Sequence, residues 1–206
     1  MSAVPKPTYT FEEYLAREKN ALTKSEYYRG QIFAMAGASP RHNMIAVNAV
    51  ASLRVRLRGS PCRPFHSDQR IRIPASGLAT YPDVSIVCGD LQLDAVDRDA
   101  IVNPRVICEV LSKSTESYDR GKKFDLYRQL ESLQEYVLVA QDEPQVDHYV
   151  LQAHGSWLLT VFKGLEAKLE FPSLSIELLL SEIYEDIEFG PEEGSTDDAA
   201  ARPSKY

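Results

Sequence analysis

The run Val106-Ile107-Cys108-Glu109-Val110-Leu111 has the nearly continuous apolar character of a strand covered on both faces, yet it carries one glutamate. A carboxylate there is costly to bury unless it is paired or bound to a metal. A second apolar strand, read from Leu78 to Cys88, carries Asp83 within Tyr81-Pro82-Asp83-Val84-Ser85-Ile86-Val87. A third segment, Asp119-Arg120-Gly121-Lys122-Lys123-Phe124, opens a helix read from about Tyr118 to Leu130, with Asp119, Lys123 and Tyr127 on one stripe. Two strand-borne carboxylates beside a lysine are the groups that metal-assisted phosphodiester cleavage needs. Each residue also has a plainer reading: Asp83 as a strand-end acid, Glu109 as the partner of an arginine from the Arg54 to Arg72 region, and Asp119–Lys123 as a helix ion pair.

At 206 residues the chain is long enough for one domain with a full core. Residues 1–189 are read as that domain and 190–206 as an acidic, flexible tail rich in Gly, Pro, Ser, Asp and Ala. No apolar run approaches the roughly 18 residues of a membrane span. Met1 to Lys19 has no apolar signal-peptide segment, so a cytoplasmic location is expected. Cys62, Cys88 and Cys108 are odd in number and widely spaced, and are expected to be buried free thiols in a reducing cytosol. The net charge of −7 argues against a nucleic-acid partner, but it is unevenly spread. Seven arginines stand against Asp68 alone between Arg41 and Pro82, whereas eight acids crowd Glu182 to Tyr206. A local basic face remains open, as does a solvated surface with scattered arginines.

Along the chain, Thr10-Phe11-Glu12-Glu13 is a capping box opening a short helix through Lys19. Tyr27 to Ala36 reads as a hairpin turning at Arg29-Gly30, with Glu26 at its entrance. Ser39-Pro40 starts a helix expected over Arg41 to Arg58, with Ala46, Val50, Leu53 and Leu57 as its apolar stripe. His42 falls in its first turn, a place for a surface or capping group more often than a catalyst. Phe65 to Pro74 alternates as one strand, its polar face carrying His66, Asp68, Arg70 and Arg72. Gly89 to Asn103, with Asp90, Asp94, Asp97 and Asp99, lacks calcium-loop spacing and reads as a solvated loop. Glu135 to Ala140 is a further strand, Val146 to Phe162 a hairpin around His154-Gly155, and Leu178 to Ile187 a closing helix.

The order helix, strand, strand, strand, helix, strand, with Pro82-Asp83 on the second strand and Glu109-Val110-Leu111 on the third, resembles the PD-(D/E)XK nuclease superfamily. More closely, the chain resembles the Uma-two family of restriction endonuclease-like proteins over roughly residues 8 to 185. The resemblance is carried by Glu26 to Gly30, Ser39 to Asn43, Tyr81-Pro82-Asp83-Val84, Glu109-Val110-Leu111-Ser112, Asp119 to Phe124 and Glu135-Tyr136. It implies an α/β fold: a restriction-endonuclease-like core, a mixed β-sheet flanked by helices, with an N-terminal β-hairpin.

It also implies an endonuclease that hydrolyses DNA phosphodiesters with Mg²⁺ (or Mn²⁺), with DNA as partner and a homodimer as the working assembly. Asp83 and Glu109 would hold the metal and Lys123 would complete the catalytic set. The superfamily lysine is expected two residues after Glu109, where this chain has Leu111. Lys123 on the following helix is the favoured replacement, ahead of Lys122 and Lys113. Glu26, His42, Asp68 and Asp119 are supporting candidates: Glu26 as a further ligand, Asp68 as a neighbouring group or a simple ion pair, Asp119 as the holder of the lysine. The competing reading is a catalytically silent nucleic-acid- or protein-binding module with the same fold.

Overall fold

The computed structural model describes residues 7–189. Its first helix, α1 (Phe11–Glu18), begins where the capping box predicts. Thr10 Oγ1 accepts from the Glu13 amide at 3.1 Å, and Glu13 Oε2 accepts from the Thr10 amide at 2.8 Å. Strands β1 (Ser25–Tyr28) and β2 (Gln31–Ala34) form the expected hairpin. Arg29 and Gly30 both have positive φ, 45° and 86°, the signature of the tight hairpin turn whose twist matches its strands. Gly30 is required twice over, because an added Cβ would also lie 2.5 Å from Thr8 Cγ2.

Helix α2 (Pro40–Arg56) is capped by Ser39, whose hydroxyl accepts from the His42 amide at 3.1 Å. Its core-facing line is Ile45, Ala49, Leu53 and Leu57, with Ala46 and Val50 half-buried beside it. Strands β3 (Cys62–His66), β4 (Ile71–Ile73), β5 (Leu78–Thr80), β6 (Val84–Cys88) and β7 (Val106–Val110) follow. The chain then forms α3 (Glu116–Tyr118), a π-helical turn (Asp119–Lys123), α4 (Phe124–Tyr127) and β8 (Glu135–Val139). It closes with β9 (Gln145–Leu151), β10 (Trp157–Lys163), β11 (Lys168–Phe171), β12 (Ile176–Leu179) and α5 (Leu180–Ile183).

The larger sheet has the order β10-β9-β8-β7-β6-β3, mixed because β7 and β8 are parallel while the other pairs are antiparallel. A parallel pair needs a crossover, and the segment α3–π turn–α4 supplies it. One sheet face packs Val84, Ile86, Val106, Cys108, Val110, Val137 and Val139 against α2, α5 and the β11–β12 hairpin. The other packs Val87, Ile107, Tyr136 and Leu138 against Phe124, Leu126 and Tyr127 of the crossover and against Ile71, Ile73 and Leu78. Those last three belong to a second sheet, β2-β1-β5-β4. The architecture is the expected α/β fold: a mixed sheet flanked by helices, with an N-terminal hairpin.

Several expectations are corrected. The run Leu78 to Cys88 is not one strand but β5 and β6, in different sheets, with Asp83 in the break. Pro82 lacks the N–H a ladder needs, so the chain leaves one sheet there and enters the other. Phe65 to Pro74 likewise divides into β3 and β4, and Asp68 falls in the turn between them. The crossover helix is interrupted by the π turn and ends at Tyr127. Leu178 to Ile187 is the end of β12 followed by the short α5. In the Gly89 to Asn103 loop, Asp94 and Asp97 are buried rather than solvated. Asp94 Oδ1 accepts from the Val96 and Asp97 amides, and Asp97 pairs with Arg70 at 2.5 Å.

Cys62 and Cys88, expected to be free thiols, form a disulfide; Cys108 alone is a buried free thiol. Sequence spacing could not show this, because the two cysteines face each other only through the β3–β6 register. The cysteines therefore no longer argue for a reducing compartment. No helix among the described residues is long and apolar enough to cross a membrane. The tail read at 190–206 lies outside the described residues.

Candidate active site

Glu109 is the centre of a buried polar cluster. It alternates with Cys108 and Val110 on β7, so it faces the side of the sheet covered by the crossover helix. Its Oε1 accepts from Tyr127 Oη at 2.7 Å and lies 2.8 Å from Lys123 Nζ. The Lys123 ammonium also lies 3.4 Å from Asp119 Oδ1 and 3.8 Å from Glu26 Oε1. Thr80 Oγ1 donates to that same Glu26 oxygen. The small sheet thus delivers Glu26 and Thr80, the large sheet Glu109, and the crossover Asp119, Lys123 and Tyr127.

Asp83 joins from the chain crossing between the sheets. Its Oδ2 accepts from the Val110 amide at 2.8 Å and lies 3.2 Å from His42 Nε2, while its own amide points at Glu109 Oε2, 3.4 Å away. The residues leading to it are pinned as well. Tyr81 accepts from Arg70 Nη1 at 2.5 Å and donates to Glu18 Oε1 at 2.9 Å. Asp83 and His42 keep 17% and 13% of their side-chain surface exposed, against 8% for Lys123 and 5% for Glu109. Lysine and glutamate therefore form the floor of the site, with aspartate and histidine at its mouth.

The cluster holds more carboxylates than cations, and its titration reflects that. Burial, together with the charges of Asp83 and Asp119, pushes Glu109 up to about 8 against the opposing pull of Lys123. Burial also raises Asp119. For Lys123 burial acts downward, but Glu109, Glu26 and Asp119 outweigh it and hold the ammonium well above its ordinary value. His42 behaves alike: burial lowers it, while the hydrogen bond and charge of Asp83 and the charge of Glu109 raise it overall. Glu109, Asp119, Lys123 and His42 thus all hold their protons more tightly than the free groups do.

Asp83 Oδ1 makes no hydrogen bond among the described residues, and Glu109 Oε2 has only the long contact to the Asp83 amide. These two hard oxygens suit Mg²⁺, which needs only one or two carboxylates and keeps several waters. Among the described residues no group of three or more His, Cys, Asp or Glu side chains is arranged to hold a metal ion.

The sequence candidates Asp83, Glu109, Lys123, Glu26, His42 and Asp119 all meet in this cluster. Asp68 does not: it pairs with Lys24 at 2.9 Å, with 71% of its side chain exposed. Lys113 is exposed at the edge of a cavity of about 500 Å³ lined also by Glu116, Ser117, Arg120 and Gly121; that cavity includes none of the three central residues. Sequence reasoning assigned no role to Tyr127, Thr80 and Tyr136. For Tyr127 the signal was present, since it shares the helical stripe of Asp119 and Lys123.

The chain matches the family model Uma2, described as "Putative restriction endonuclease", over residues 11–181. It is 37% identical over 167 residues to the uncharacterized protein sll1609 of Synechocystis sp., covering 81% of this chain and 94% of that one. It is 36% identical over 190 residues to the uncharacterized protein slr1290 of the same organism, covering 91% and 97%. The fold is shared, at a TM-score of 0.68 and 20% identity, with the crystal structure of a "putative nuclease belonging to DUF820" from Anabaena variabilis, over 85% of this chain and 97% of that one. Family match and relatives agree across most of the chain, which therefore belongs to the Uma2 family.

Proposed function

We propose that this protein is a metal-dependent endonuclease hydrolysing DNA phosphodiester bonds. The observation that carries this reading is the convergence of Asp83, Glu109 and Lys123 from three separate elements, with the lysine 2.8 Å from the glutamate. Asp83 Oδ1 and Glu109 Oε2 are the atoms that would hold Mg²⁺ or Mn²⁺. When bound, that ion supplies Lewis acidity toward a phosphate and lowers the pKa of its water. Lys123 orients the attacking water and offsets the negative charge that grows on the phosphate oxygens. Tyr127 fixes Glu109, and His42 with the Val110 amide fixes Asp83, so neither carboxylate must reorganise during the reaction.

The test is cleavage of supercoiled plasmid and of branched DNA with Mg²⁺ or Mn²⁺. Nicked or linear product with metal and none with a chelator is expected. DNA binding without cleavage under either metal would replace the proposal with the silent-module reading. The pH dependence follows from Glu109, whose carboxyl is raised to about 8 and must lose its proton to bind metal. By calorimetry, Mn²⁺ affinity is expected to rise with pH, by up to about tenfold per unit, and to level above pH 8 or so. A flat profile between pH 6 and 8 would remove Glu109 as a ligand.

The working assembly is proposed to be a homodimer. Strand β10 is an edge of the large sheet and exposes Leu158, Leu159 and Val161. Antiparallel pairing of two β10 strands about Thr160 would set Leu159 against Val161 of the second copy. Light scattering at micromolar concentration should give twice the chain mass, and Val161→Lys should return the monomer. A wild-type monomer would remove the dimer.

A further inference from the structure

The helix that carries Lys123 departs from α geometry where the lysine sits. Between α3 and α4 it widens into a π turn over Asp119–Lys123. Such turns are rare inside α-helices and gather at functional sites. The turn's own sequence does not force this one: it contains no proline, and a Cβ added at Gly121 would meet nothing within 4 Å.

What holds the turn is on β8. Tyr136 is wholly buried, and its hydroxyl donates to the Asp119 carbonyl at 3.0 Å. Its ring stacks on Phe124, centroids 4.9 Å apart and planes within 8°. Asp119 is the first residue of the turn and Phe124 follows the last, so one tyrosine grips both ends. Tyr127 packs against the same ring at 5.6 Å and holds the Glu109 oxygen to which Lys123 reaches.

We infer that Tyr136 is a positioning residue: by pinning the π turn it aims the Lys123 ammonium at Glu109, without touching substrate or metal. Its catalytic consequence rests on the function proposed above. Lys123 leaves a helix whose regular form would carry it around the axis, and its reach to Glu109 depends on the widened turn staying open. The Tyr136 hydroxyl anchors the Asp119 carbonyl to β8, so the first residue of the turn is held against the sheet.

Tyr136→Phe isolates this role, because it keeps the ring and its stacking and removes one hydroxyl. In the full-length protein, kcat for DNA cleavage is expected to fall roughly 10- to 100-fold, the size of losses at groups that orient others. KM and Mn²⁺ affinity should stay at wild-type values. A second readout needs no activity. With ¹⁵N-labelled lysine, the buried Lys123 ammonium should give an exchange-protected NMR signal, assigned by its loss in Lys123→Ala. In Tyr136→Phe that signal should shift or broaden. If Tyr136→Phe does not fold, Phe124→Leu, which loosens the other end of the turn, is expected to give the same displacement. An unchanged lysine signal with an unchanged kcat overturns the inference. A wild-type protein that never cleaves DNA defeats the nuclease reading instead, and the lysine signal then decides the positioning role by itself.

Discussion

Lys123→Ala is expected to lower the rate of DNA cleavage roughly 100- to 1000-fold, the range seen when a donor aimed at developing negative charge is removed. The same substitution should destabilise the protein. Lys123 is the ammonium among Glu109, Asp119 and Glu26, and breaking a buried ion pair from one side costs about 3–5 kcal/mol because the remaining charge is stranded. The carboxyls can escape part of that cost by binding protons. A carboxyl raised above its unfolded value contributes stability that is present at low pH and lost as pH rises through the folded value. For Glu109 that window runs from the ordinary carboxylate range up to about 8. Urea denaturation should therefore show a smaller Lys123→Ala deficit at pH 5 than at pH 8. Lys113→Ala should leave both rate and stability near wild type, since Lys113 is exposed and outside the cluster. A dead Lys113→Ala with an active Lys123→Ala would overturn the assignment.

Glu135→Ala should be as damaging to the fold while leaving the lysine cluster intact. Glu135 is 0% and His148 2% exposed, and their side chains meet at 2.7 Å between β8 and β9. The other Glu135 oxygen accepts from the Ser173 amide at 2.6 Å, tying the turn between β11 and β12 to the sheet. Removing the carboxylate orphans the imidazole and that amide together. A loss of about 3–5 kcal/mol is expected. At about 2–4 °C per kcal/mol for a domain of this size, Tm should fall by on the order of 10 °C in a calorimetric scan. Replacing both partners by leucine should recover part of the loss, because the orphaned imidazole disappears while the Ser173 amide stays unpaired. A double variant no better than Glu135→Ala would show that the pair matters for more than mutual compensation.

Local chemistry made parts of this molecule legible in its sequence. Thr10 with Glu13, Ser39 with Pro40, and Arg29-Gly30 fix their helix starts and turn within a few residues, and each forms as read. Glu109 stood out because a carboxylate in an apolar strand demands a partner, and Lys123 is that partner. Features decided by distant register were not legible. Cys62 meets Cys88, and Glu135 meets His148, through ladders no short window contains. The break at Pro82 could have been read, since proline cannot continue a ladder, but the switch of sheets there could not. The π turn has no local mark at all, because its support comes from Tyr136 on another strand.

The passage of the chain between sheets at Asp83 has a consequence for how the protein fails. The buried lysine cluster is lodged in the seam between two separately hydrogen-bonded sheets, with Glu26 on one side and Glu109 on the other. Units of this kind open with their own free energies, below that of global unfolding. The two-strand hairpin and α1 lean on the small cluster of Tyr14, Tyr27 and Ala79, the least extensive of the three buried groups among the described residues. Partial undocking of that unit would carry Glu26 away from Lys123, while the six-stranded sheet stays paired and Asp83 stays on the Val110 amide. Under mild stress the cluster would therefore come apart in a still-folded protein, and re-form without refolding.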